Sequence, residues 1–278
     1  MKIVNRVALA GCLALFATTS ASANHSWGRY HWARTATPFA LKINEALSSK
    51  WEPYLQVAMN DWAASVVLDF TPTTAASSSG SPKRCDPISG QILVCNAAYG
   101  QRGWLGIASI WANGDHITQA TTKLNDTYFD MARYNTPAWR QMVTCQEVGH
   151  DFGLAHQDEN FSNANLNTCM DYTNLPASNQ HPNAHDYEQL ETIYAHLDNT
   201  DTSTLSGAAT NFGIREVGKP VPQQGSDAGV GDTMADWGSA IHRDGKGRPD
   251  VFVRQLADGR TVITHVLWAP DAKGTEAH

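Results

Sequence analysis

Nothing after Ala17 in this 278-residue chain approaches the roughly 18 consecutive apolar residues that a membrane helix needs, so no spanning helix is expected there. Basic clusters are missing as well. Lys and Arg number 20 against 27 Asp and Glu, a formal charge of -7, and such a balance argues against nucleic acid as a partner. There is no internal repeat. With 42% hydrophobic and 17% charged residues, the composition excludes a disordered or fibrous chain and suits one core of moderate size with an appendage.

Cysteine is scarce, five in all, and the first sits in a segment expected to be removed. Lys2 and Arg6 precede an apolar stretch from Val7 to Ala17, which leads to Ala21-Ser22-Ala23, the layout of a secretory signal peptide spanning 1–23. Leu9-Ala-Gly-Cys12 also matches a lipoprotein processing box, but only five residues separate Arg6 from Cys12, too short an apolar region for that route. Loss of the segment removes two positive charges and no negative ones, taking -7 to -9. The mature chain is therefore expected to be exported, whether secreted, periplasmic or extracellular.

Export leaves Cys85, Cys95, Cys145 and Cys169. An even number in an oxidising compartment favours two disulfides. Of the three connectivities, local pairing is the simplest. Cys85 and Cys95 flank the turn-rich Asp86-Pro-Ile-Ser-Gly90, and Cys145 with Cys169 would close a loop worth on the order of 3 kcal/mol.

Phe39–Ile43 alternates as a half-buried strand, and Trp51, Tyr54, Leu55, Ala58 and Trp62 recur at helical spacing. Segments 66–70, 91–95, 104–111 and 116–128 read as further strands. From Pro137 the pattern is helical, with proline near the start, where its missing N–H is harmless, and 186–196 reads as another helix. Strands with one helix, then helices, is an α+β order. Residues 199–231 are rich in Thr, Ser, Gly, Asp and Pro and read as a linker or extended surface segment. In 232–278, apolar runs 251–256 and 261–268 flank Asp258-Gly259, a hairpin signal. A unit so small and without cysteine is expected to dock on the main domain, 24–198.

The chemistry concentrates in Thr144-Cys-Gln-Glu-Val-Gly-His-Asp-Phe-Gly-Leu-Ala-His-Gln157, followed by Cys169-Met-Asp-Tyr172. Positions 146 and 150 lie one helical turn apart and face the same way. Glu147 beside them could take a proton from a metal-activated water. Gly153 would end the helix in a left-handed turn, returning His156 towards the same ion.

This segment resembles the extended zinc signature of the metzincin clan of endopeptidases, nearest its matrixin-like members, and the similarity spans roughly 27 to 198. The resemblance implies a twisted mixed sheet, an active-site helix, a Met-turn at Met170 and a C-terminal helix. It implies zinc as cofactor, a protein or peptide substrate, His150 and His156 as ligands, and Glu147 as general base. It also implies that the strand at Trp104–Trp111 runs along the cleft and pairs with extended substrate, with the segment after Met170 forming a wall of the specificity pocket. Aromatic residues such as Trp104, Trp111 and Tyr172 are commonly core, and no specificity is assigned from them. The latency cysteine of matrixin pro-segments has no counterpart between the expected cleavage point and Trp27, which leaves the C-terminal hairpin as a candidate restraint.

Gln146 is the departure, standing where the signature has its first histidine. An amide oxygen is a poorer zinc donor than imidazole. Three readings follow: Gln146 ligates through its side-chain oxygen, the one favoured here; His181, His185 or His116 completes the shell; or the metal is lost and the domain is an inactive metzincin-like binding module. Asp151, Asp158 and Glu159 could also hold calcium or orient a ligand histidine.

Overall fold

A computed structural model of the chain describes residues 24–73, 82–205 and 230–272. The expected signal segment, and residues 206–229 of the expected linker, lie outside the described residues. In chain order the elements are β1 (His31–Trp32), β2 (Phe39–Ala46), α1 (Glu52–Trp62), β3 (Leu68–Thr73), β4 (Gln91–Ala97), β5 (Trp104–Asn113) and β6 (His116–Asn125). They continue with α2 (Asp126–Phe129), α3 (Pro137–His150), α4 (Ala184–Ile193), α5 (Met234–Trp237), β7 (Ser239–Arg243), β8 (Pro249–Gln255) and β9 (Thr261–Trp268).

Local chemistry accounts for most of these. In β2 the alternation predicted from sequence puts Phe39, Leu41 and Ile43 inside and Ala40 and Lys42 outside. In α1, Leu55, Ala58, Met59 and Trp62 are buried, and the Trp62 indole donates to the Cys145 carbonyl at 3.1 Å, locking α1 to α3. Pro137 opens α3 after Thr136, whose hydroxyl accepts the Trp139 N–H, the N-cap that a helix start requires. The strand expected over 116–128 stops at Asn125 instead. The Asn125 side chain accepts the Thr127 N–H at 3.2 Å, and this cap turns the chain into the single turn of α2.

The strands form one mixed sheet in the order β3-β2-β4-β6-β5-β9-β8-β7, with β1 pairing alongside β6. Pairing is parallel among β3, β2, β4 and β6 and antiparallel from β6 through β5 to β7. The C-terminal unit docks as its lack of a staple required, by strand addition. β9 runs antiparallel along nearly all of β5, from Trp104 opposite Trp268 to Ala112 opposite Thr261. Lys123, buried in β6, ties down the start of this unit through the Asp232 carboxylate at 2.9 Å and the Val230 carbonyl.

This pairing corrects one expectation. The outer edge of β5, which the resemblance left exposed for an extended substrate, is taken by β9. Both faces of β5 are buried. Leu105, Ile110 and Ala112 belong to the main core against the helices, while Trp104, Ile107 and Trp111 join Tyr99, Trp237, Phe252, Val262, Val266 and Trp268 in a second core. Trp104 and Trp111 are thus packing residues. Disulfides Cys85–Cys95 and Cys145–Cys169 take the local connectivity. Among the described residues no helix is long and apolar enough to cross a membrane.

Candidate metal centre

The last turn of α3 carries Gln146, Glu147 and His150, all at most 1% exposed. The helix ends at Asp151, and Gly153 takes a φ of +94°, the left-handed turn read from the sequence. A side chain there is excluded twice over, because a Cβ would lie 2.2 Å from the Tyr30 carbonyl oxygen as well as in a disfavoured backbone region. Gly153→Ala is therefore expected to lower unfolding free energy by about 2–3 kcal/mol or more, read from denaturant midpoints. An unchanged midpoint would mean the turn relaxes freely.

Through that turn His156 comes back against His150, their Nε2 atoms 3.1 Å apart. Each ring is fixed from behind. His150 Nδ1 lies 2.8 Å from the Leu154 carbonyl oxygen and His156 Nδ1 lies 3.1 Å from Glu159 Oε1. Both Nδ1 atoms therefore carry the hydrogen, and both Nε2 lone pairs face each other. That is the arrangement of ligand histidines, whose far nitrogen donates to a carbonyl or carboxylate.

The third member comes from the C-terminal unit. His265 on β9 has its ring centroid 4.0 Å from that of His150 and 4.5 Å from that of His156, and the three together offer ligand atoms within 4.8 Å of one another. Its Nε2 meets the Tyr172 hydroxyl at 3.0 Å. Its buried Nδ1 has no hydrogen-bond partner, and the nearest Glu147 oxygen is 3.8 Å away, beyond hydrogen-bond range. Tyr172 also donates to Asp250, which in turn holds His242 at 2.8 Å.

Glu147 lies on the face of β5, which is shaped for it. A Cβ at Gly106 would come within 2.6 Å of Glu147 Oε1, so only glycine lets the carboxylate approach the strand. Both Glu147 oxygens are buried without partners. Burial, reinforced by the charge of Asp151, pushes its pKa well above the usual carboxylate range, so the group is poised to hold a proton. Burial acts oppositely on the histidines. His150 and His265 are driven well below their usual range, and His156 to about 3, each chiefly by desolvation. All three are neutral at physiological pH, so their lone pairs are available without displacing a proton.

Three buried nitrogen donors, two opposed lone pairs and the orphaned atoms of Glu147 and His265 fit a divalent cation of borderline softness such as zinc. Gln146 is fully buried, and neither atom of its amide has a hydrogen-bond partner. It shares the helix face of His150, one turn before it. Met170 is buried, with its carbonyl accepting the Gln157 N–H at 2.6 Å and its N–H donating to Thr168 at 3.0 Å.

The other sequence-read candidates lie elsewhere. His181 binds Asp61 at 2.7 Å, His185 packs edge-on against His25, and His116 faces Asp198. The three acids proposed for calcium point three ways: Asp151 accepts from Thr122, Asp158 from the Asn160 N–H, and Glu159 from His156. Calcium, which takes six to eight oxygens, has no support there, although Glu159 does orient a histidine. Sequence reasoning missed His265. Its signal was a lone histidine sharing a strand face with Ile263 and Leu267, both in the main core.

The β7–β8 turn packs against the loop that follows His156. Lys246 and Arg248 lie over the Phe161 ring, 4.4 and 5.4 Å from its centroid, and Phe161 stacks on Tyr172. At the rim, Glu159 and His242 remain partly exposed, 3.6 Å apart.

No protein-family model and no curated protein matches this chain. Among solved structures it is similar to high choriolytic enzyme 1, a hatching-enzyme zinc protease from Oryzias latipes (medaka fish), at 13% identity and a TM-score of 0.32, over 59% of this chain and 94% of that one.

Proposed function

We propose that this chain is an exported zinc-dependent endopeptidase of metzincin-like build, with His150, His156 and His265 as ligands and Glu147 as general base. The observation that carries the reading is the delivery of His265 beside His150, His156 and Glu147, which restores a three-histidine donor set where Gln146 had broken the helical one. Bound zinc would supply Lewis acidity to a water and to a scissile carbonyl. Glu147, held against Gly106, would serve as the proton acceptor for such a water and the proton donor to the leaving amine. Leu154, Glu159 and Tyr172 keep the three imidazoles aimed. Gln146 lies one turn from His150 and within the same buried shell, as a further oxygen donor or a neutral spacer.

Glu147→Gln keeps the side chain's shape beside Gly106 and removes its basicity. Chelator-sensitive cleavage of an unstructured protein should fall by roughly 10²–10⁴-fold, with zinc per chain unchanged. Undiminished turnover would remove Glu147 from the mechanism.

The burial of the cluster favours a second reading. Catalytic zinc keeps one position open to water and substrate, and structural zinc is closed. With Glu147 at 0% and His150 and His265 at 1% exposure, the same donors suit a secreted binding module clamped by metal. That reading predicts zinc retention with no proteolysis at any pH.

A further inference from the structure

A second group of metal-ligating side chains shares no residue with the first. His31 on β1 and His116 on β6 are register partners. Asp198 and His196 come from the segment after α4. His31 Nε2 is 3.5 Å from Asp198 Oδ2, His116 Nε2 is 3.3 Å from Asp198 Oδ1, and His196 Nε2 is 3.5 Å from Asp198 Oδ1 and 3.3 Å from His31 Nε2.

Two features distinguish this from an ion-pair knot. The separations are too long for charge-assisted hydrogen bonds, which run about 2.7–2.9 Å. His31, His116 and Asp198 each offer a ligand atom within 4.8 Å of the other two, close enough to converge on one ion. The donors are also pre-aimed. His31 Nδ1 lies 2.8 Å from the Arg29 carbonyl oxygen, which places its hydrogen there and turns the Nε2 lone pair towards a carboxylate and another imidazole. Asp198 is itself fixed, because the Arg34 N–H donates to its Oδ2 at 3.0 Å and its own N–H donates to the Arg34 carbonyl at 2.8 Å.

We propose that His31, His116 and Asp198 form a second metal centre, a two-histidine, one-carboxylate zinc site with His196 at its edge beside His31 and Asp198. Its part is mechanical, because its donors come from three separate segments of the chain. β1 is only two residues long, and the centre pins it to the start of β6 and to the chain leaving α4.

The test uses full-length mature protein without a histidine tag, equilibrated with zinc chloride, freed of excess metal and analysed for zinc per chain. Two equivalents are expected in the wild type, one in His156→Ala, one in His116→Ala/His196→Ala and none in the triple variant. His116 and His196 side chains are 39% and 56% exposed, so their removal does not disturb the core. Chelator should lower the melting midpoint of His156→Ala by about 5 °C or more and leave the triple variant unmoved. Zinc in His156→Ala that survives the added pair of substitutions would overturn the proposal, as would a wild type holding none. Should His156→Ala fail to fold, a wild type and a His116→Ala/His196→Ala protein with equal zinc would overturn it too. One equivalent in the wild type and none in His116→Ala/His196→Ala would uphold this site and sink the His150 centre, so the two readings fail separately.

Discussion

His265→Ala should strip zinc from the His150 centre and abolish chelator-sensitive cleavage, although residue 265 lies far outside the signature that suggested a metal. The expected loss of affinity exceeds the roughly 10–100-fold typical of residues that merely orient a ligand, because a donor itself is gone and Glu147 would be left facing two imidazoles. The companion substitution makes the prediction specific. In the Gln146→His, His265→Ala double variant, the third imidazole moves from β9 to α3, one turn from His150, where helix geometry aims it at the same ion. Zinc content and activity should return together. Full zinc occupancy of the centre in His265→Ala would place the third donor elsewhere, and its loss in Gln146→Ala would identify the amide as that donor.

A chain ending at residue 205 should be insoluble, metal-poor at the His150 centre and inactive. Deletion bares the β5 edge and removes six of the ten buried residues of the second core. Tyr99, Trp104 and Trp111 alone bring roughly 150–250 Å2 of side-chain surface each, more than a soluble monomer ordinarily leaves in one patch. A long, flat, apolar edge strand is moreover a template for pairing with other chains. The read-outs are soluble yield and zinc per chain. The restraint considered from sequence, with the hairpin as a cover over a finished active site, predicts the reverse: a soluble and more active truncation. That result would also eliminate His265 as a ligand.

Much of the centre was legible because its signals are local. Pro137 and Gly153 announce the start and end of α3 by backbone preference, and positions 147, 150 and 156 follow from one helix and one turn. The disulfides were legible because short loops restrict the choice. What stayed hidden is non-local. Alternation in 261–268 shows that a strand has a buried face, but nothing in it says which edge the strand will take. The choice of β5 rests on the second core, whose members come from 99–111 and 230–268. With that choice unknown, His265 read as part of an appendage and the β5 edge read as open.

Strand addition also sets a clock. Ser109 and Thr264, which share a hydrogen bond at 3.1 Å between β5 and β9, are 155 positions apart in sequence, and contacts of that span form late because the chain between them must first be closed into a loop. The three-histidine cluster therefore cannot exist on a nascent or half-folded chain, however well α3 is formed. A motif whose third histidine lay on its own helix could gather metal as soon as that helix appeared. Here metal capture would report that the last strand has been made and has found its place.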